Sequence, residues 1–196
     1  MAEGINKAAC GLLLASLITG ACSPDQPGDG VDAQNIASPA IAPAPAAHPA
    51  GQSHLAGSGQ GLRFGKTEAR LGAPIKDALK VAEAAGVTIG PSQLLEECGA
   101  GPLTSYRAGN LSLLGQDGKF AGWHISEPGP LALRTDRSVT IGTARSRLES
   151  AHQTQIFESS VGTEFSSEDG LGGLLSNSSP SSRVTHLWAG TTCIMR

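Results

Sequence analysis

Aromatic residues are scarce in this chain. They make up 4% of 196 residues, with two Trp and one Tyr among them, and apolar residues reach only 39%. That supplies one modest core and suggests one domain plus extras. Basic residues are missing from positions 22–60, which hold only Asp25, Asp29 and Asp32 as charges. Positions 61–196 hold 13 basic and 13 acidic residues and are neutral. With no basic patch or arm, a nucleic-acid partner has no support. No CxxC is present, nor any GxSxG, HExxH or phosphate-loop motif. The motifs therefore imply neither a cofactor nor an enzymatic reaction.

The first apolar run is also short. Lys7 precedes an apolar stretch from Ala8 to Thr19. About 12 residues cannot span a bilayer, which takes about 20. A charged start, a short apolar run and a small-residue exit predict a secretory signal peptide over residues 1–21. Its end, "TGAC", resembles the lipobox of bacterial lipoproteins. Gly20 and Ala21 fill the small positions that let the backbone lie extended in a peptidase cleft. Thr19 stands where that motif usually has Leu. The resemblance implies that Cys22 carries a lipid and becomes the mature N-terminus. Ser23, rather than Asp, implies an outer-membrane anchor facing the periplasm. The competing expectation is a non-lipidated signal peptide with Cys22 paired elsewhere.

Residues 22–60 are rich in Pro, Ala, Gly and Ser with almost no large apolar side chain. Such a segment cannot offset the entropy of ordering it, so a disordered tether is predicted. "APAPAAHPA" favours extended polyproline II. His48 and His54 lie here six residues apart, and read as incidental polar residues rather than metal ligands.

Four cysteines are present. Cys10 leaves with the leader and Cys22 is the anchor candidate. Cys98 and Cys193 remain, and in an oxidising compartment they most simply pair with each other. A redox pair or catalytic thiol is the rival reading.

Residues 61–196 predict an α+β domain with an antiparallel sheet and two short helices. Ile75, Leu79, Val81 and Ala82 form an apolar stripe over residues 73–86, with Pro74 at the start and Gly86 at the stop. A second helix fits residues 143–152, with Thr143 as N-cap. Asp117-Gly118 marks a tight hairpin within residues 111–125. Further strands are expected at 131–135, 154–158, 163–167 and 183–190. "CGAGP" (98–102) and "DGLGGLL" (169–175) read as turns.

Two segments echo each other: "LRFGKTEARLGAP" (62–74) and "VTIGTARSRLESA" (139–151). Each has an apolar strand, Gly, Thr and a helix rich in Ala, Leu and Arg, and strands with a Trp follow. This pattern predicts two α–β halves sharing one antiparallel sheet. Phe64-Gly65-Lys66-Thr67 with Leu71-Gly72-Ala73-Pro74, and Ile141-Gly142-Thr143 with Leu148, resemble the BamE/SmpA type of outer-membrane assembly lipoproteins. They are also similar to the tandem repeats of the β-lactamase-inhibitor-protein fold. The Gly65-to-Gly72 spacing is about a helical turn short of that pattern, and the second copy lacks Gly-x-Pro.

Candidate chemistry is thin. Glu96-Glu97 reads as a solvated pair. His124, His152 and His186 would have to converge to hold a metal, and none is at ligand spacing. Trp123 and Trp188 read as core residues or as a partly exposed binding pair. The expected role is a non-catalytic, lipid-anchored envelope protein. Its partner would be the membrane through the lipid, and another envelope protein. The alternatives are an inhibitor of an envelope-directed enzyme, or a small enzyme or ligand carrier.

Overall fold

The computed structural model describes residues 54–127 and 129–194. The leader, Cys10, Cys22, His48 and nearly all of the expected tether lie outside the described residues. The folded part begins earlier than Gly61. Leu55 and Ala56 are already buried, and Ala56–Ser58 forms strand β1.

Strand β1 pairs antiparallel with β2 (Gly61–Phe64), which pairs with β3 (Thr67–Arg70). Helix α1 (Ile75–Ala84) follows, then strands β4 (Ser92–Leu95), β5 (Leu103–Ala108), β6 (Leu111–Gln116) and β7 (Lys119–Ser126). The second half repeats that order in shorter form. It runs β8 (Arg134–Thr135), α2 (Arg145–Ala151), β9 (Thr154–Ser159), β10 (Gly162–Ser167), β11 (Leu171–Leu175) and β12 (Val184–Gly190). The fold is α+β.

Each half contributes a four-stranded meander to one antiparallel sheet of order β4-β5-β6-β7-β12-β11-β10-β9. The last strands of the two meanders, β7 and β12, meet at its centre with Leu187 opposite Ile125. A second sheet, β3-β2-β1-β8, was not legible in the sequence, and there β1 runs parallel to β8.

Local chemistry explains the elements. Asp117 (φ 51°) and Gly118 (φ 75°) both take positive φ, as a two-residue hairpin turn requires. Helix α1 ends at Ala84 with Ala85 as its C-cap, and Gly86 (φ 77°) turns the chain away. Thr143 is not the N-cap of α2. Ala144 holds that place without a side-chain bond, and Thr143 Oγ1 instead accepts the N–H of Thr140. Residues 171–175 form strand β11, not a turn, because two glycines make room for rings. A Cβ on Gly172 would meet Trp188 Nε1 at 2.3 Å, and one on Gly173 would meet the Phe165 ring at 2.4 Å.

One face of the eight-stranded sheet is the core. Phe120, Trp123, Ile125 and Leu187 project from it against Ala78, Val81 and Ala82 of α1, Leu148 of α2, and Leu62 of β2. Both helices and the small sheet lie on that side. Full burial of a side chain such as Ile125 or Leu187 contributes about 2 kcal/mol. The opposite face is covered at its β5–β6 end by a small cluster of Cys98, Leu103 and Leu114, with Cys193 packed beside them.

The internal echo is real, but its register differs from the one the sequence suggested. Gly65 is not the partner of Gly142; Gly72 is. Gly72 N–H donates to Phe120 O, and Phe120 N–H to Ala73 O. Gly142 N–H likewise donates to Val184 O, and Val184 N–H to Thr143 O. Pro74 then bridges to Lys119 as Ala144 bridges to Arg183.

Candidate functional site

The sequence candidates separate into three places. Cys98 and Cys193 are joined as a disulfide, 95 residues apart. Glu96 and Glu97 are exposed in a turn beside the disulfide. The three histidines do not converge: His124 and His186 come together, and His152 lies elsewhere.

Trp123 and Trp188 do not form a pair. Successive strand residues alternate in face, and β12 sets Ala189 opposite Trp123 but Trp188 opposite His124. Trp123 is fully buried in the core, with its indole N–H donating to Ser58 O at 3.1 Å. It is therefore not a surface residue. Trp188 lies on the opposite face, over Gly172, and is itself buried, only 8% exposed.

That opposite face is the first candidate surface. His124 and His186 project there from adjacent strands with ring centroids 5.4 Å apart and planes inclined by only 11°. Trp188 leans over His124 at 6.3 Å. Leu174, opposite His186, and Phe157, 42% exposed, continue the surface across β11 and β9. Neither helix packs on it. Burial, then the nearby His186 and Arg107, push His124 down to about 4, and its Nε2 is buried with no hydrogen-bond partner. Burial also lowers His186, against the opposing pull of Glu127. Both rings are thus neutral at neutral pH. Charged side chains flank them on the same face: Arg107 follows Ser112 beside His124, and the buried Glu164 stands between Leu174 and Phe157.

A second candidate is an open cleft of about 440 Å³ between the β1–β2 hairpin and the turn after β8. Three cations (Arg63, Arg70, Arg137) and three carboxylates (Glu68, Asp136, Asp169) line it. Their charges cancel, and two pairs are made directly: Arg63 to Asp136 at 2.7 Å and Arg70 to Glu68 at 2.9 Å. Its floor holds His152, a residue whose role the sequence did not reveal. Asp169 Oδ2 can only accept, so the 2.8 Å contact makes His152 Nδ1 the donor. His152 Nε2 is then left to accept the Thr135 hydroxyl at 3.4 Å. Thr135–His152–Asp169 has the connectivity of a nucleophile, base and orienting acid.

The Thr135 oxygen is nevertheless occupied. It accepts the N–H of Val139 at 3.0 Å, and Thr135 is 1% exposed. A nucleophile must reach an acyl carbon, and this one is enclosed. Burial raises the Asp169 carboxyl, but hydrogen bonds from Ser167 and His152, with the charge of Arg137, outweigh that and hold it below its ordinary value. The network ties the turn after β8, the end of α2 and the β10–β11 turn together. Its chemistry is that of a pin.

Among the described residues no group of three or more His, Cys, Asp or Glu side chains could hold a metal. No described helix is long and apolar enough to cross a membrane.

No family model matches the chain, and no curated protein matches it either. Among solved structures, it is similar to the uncharacterized protein YfeY from Escherichia coli at 13% identity and a TM-score of 0.43. That likeness covers 71% of this chain and 99% of the other, and it is too low to support a conclusion about fold or activity.

Proposed function

We propose that this chain is an exported, lipid-anchored binding protein whose uncovered sheet face receives another protein of the cell envelope. The observation that carries the reading is that, among the described residues, no helix and no second sheet packs on this face. Both helices and the small sheet pack on one side of the eight-stranded sheet, while Trp188, the His124–His186 stack, Leu174 and Phe157 lie on the other. Neutral stacked rings with the exposed Phe157 beside them, flanked by Arg107 and Glu164, offer a partner both apolar and polar contacts. The burial of Thr135, 1% exposed, disfavours a nucleophilic role for it. The leader, "TGAC" and the Pro-rich segment support export, an anchor at Cys22 and an outer-membrane site facing the periplasm.

Two measurements test it. Mass spectrometry of the membrane fraction is expected to give a lipidated N-terminus at Cys22, and an unmodified N-terminus elsewhere would defeat the anchor. Proximity labelling in living cells is expected to return an envelope protein that Leu174→Asp no longer labels while the variant stays folded. Unchanged labelling by Leu174→Asp would remove the face from the binding site.

A further inference from the structure

Strand β9 ends the eight-stranded sheet, and among the described residues no strand pairs with its outer side. A bare sheet edge is ordinarily guarded by Lys, Pro, a bulge or a very short strand. β9 has none of these. It is six residues, Thr-Gln-Ile-Phe-Glu-Ser, in unbroken register with β10. Its one charged residue, Glu158, is held toward β10 by the Thr163 hydroxyl, which donates to Oε1 at 2.9 Å.

The hairpin phase fixes which backbone groups face outward. Only Ser160 and Val161 separate β9 from β10, so Ser159 and Gly162 form the closing hydrogen-bonded pair. Glu168 N–H donates to Gln153 O in the same phase. The even positions Thr154, Ile156 and Glu158 therefore direct N–H and C=O away from the sheet. Phe157 lies between them, exposed, on the uncovered face.

We propose that β9 is a homodimer edge, on which a second copy of this chain places its own β9 antiparallel about a two-fold axis through Phe157. In that register Ile156 and Glu158 of one copy exchange hydrogen bonds with Glu158 and Ile156 of the other. Phe157 then meets its counterpart in a non-hydrogen-bonded pair, where side chains approach most closely. Such a cross-strand aromatic pair is favourable. The register sets Glu158 opposite Ile156 rather than opposite the other Glu158. A second copy is the occupant because this pairing is self-complementary and closes. Pairing β9 with the other edge, β4, would leave a free β9 and a free β4 and grow into a chain. Two uncovered faces become continuous across sixteen strands. Six residues a side make a small interface, in the weak class below about 1,200 Å². The inference does not depend on the partner proposed above.

The test is symmetric cross-linking of the full chain. Phe157→Cys is expected to give a disulfide-linked dimer under mild oxidation, because non-hydrogen-bonded partners stand about 4.5 Å apart at Cα. Gln155→Cys, four register positions from its own counterpart, is expected to give none. Adding Glu158→Pro to Phe157→Cys removes an outward N–H without touching the β9–β10 ladder, and is expected to abolish the dimer while the thermal transition stays within a few degrees. No dimer with Phe157→Cys, or equal dimer with Gln155→Cys, overturns the proposal. A dimer that persists with Glu158→Pro overturns it as well. If Glu158→Pro unfolds the chain, the two cysteine variants alone decide.

Discussion

Gly72 and Gly142 occupy one structural position in two successive units. Their φ angles are 85° and 83°, and each gives its N–H to the strand that ends its own half, at Phe120 and at Val184. Each turn then feeds a helix through an extended N-cap, Pro74 or Ala144. A Cβ at either glycine would meet nothing within 4 Å. Alanine there therefore pays only for the left-handed backbone, about 1–2 kcal/mol. Gly72→Ala and Gly142→Ala are expected to lose similar, modest stability in urea unfolding. Gly122→Ala is expected to cost clearly more, because its Cβ would strike Thr191 O at 2.2 Å, with Ala189 O at 2.7 Å.

The His124–His186 stack makes stability depend on pH. His124 is held at about 4, below its ordinary 6.5, mainly by burial. The unfolded chain binds a proton there between pH 6.5 and 4, and the folded chain does not. Stability from this site is full above about 6.5, falls as pH drops toward 4, and is flat below. The gap, at about 1.4 kcal/mol per pH unit, bounds the effect near 3 kcal/mol. His186 adds in the same direction. Urea unfolding at pH 7.5 and 4.5 is expected to show a larger loss for the native chain than for His124→Gln. Equal losses would show that the stack tolerates charge.

Much of the fold was written in local pattern. The Asp117-Gly118 turn, the stripe of α1 and strands β9, β10 and β12 follow from turn chemistry and periodicity. The small sheet did not, because β1 (Ala-Gly-Ser) and β2 (Gly-Leu-Arg-Phe) are too short to carry a clear alternation. Their pairing is fixed by the core that receives Leu55 and Leu62. Strand β11 looked like a turn because its glycines serve rings on both faces, at Trp188 and Phe165. The echo was found seven residues out of register, since Gly65 and Gly72 both take positive φ near apolar residues. The Cys98–Cys193 pair was legible by elimination. The site was least legible: alternation on paired strands separates Trp123 from Trp188, and the His152–Asp169 contact is a tertiary fact.

The cleft network gives a prediction that separates a pin from a catalyst. His152 is 4% exposed and bonded on both ring nitrogens. His152→Ala would leave the Thr135 hydroxyl short of an acceptor and open a void, at a cost of about 2–4 kcal/mol. Asp169→Asn keeps the shape and can still accept from His152, so a loss below about 1 kcal/mol is expected at this half-exposed site. Asp169 sits below its ordinary value, so its small contribution is present above about pH 4 and is lost on further acidification. A fluorophosphonate probe is expected to leave Thr135 unlabelled. Stoichiometric labelling that His152→Ala abolishes would reverse the assignment.

The disulfide closes the longest constraint in the domain. Cys98 is buried with Leu103 and Leu114, and Cys193 packs on them from the C-terminal end. The 95-residue separation gives an unfolded-state constraint of about 4–5 kcal/mol in the chain-entropy view. Because the bridge spans β5 through β12, it ties the first meander to the end of the second. Cys193→Ser is expected to lose most of that stability, and the native chain in excess reductant is expected to melt at the same temperature as the variant. Cys98→Ser should lose slightly more, since it places a hydroxyl among Leu103 and Leu114. A reduced chain that melts with the oxidised one would show that the apolar cluster alone holds that corner.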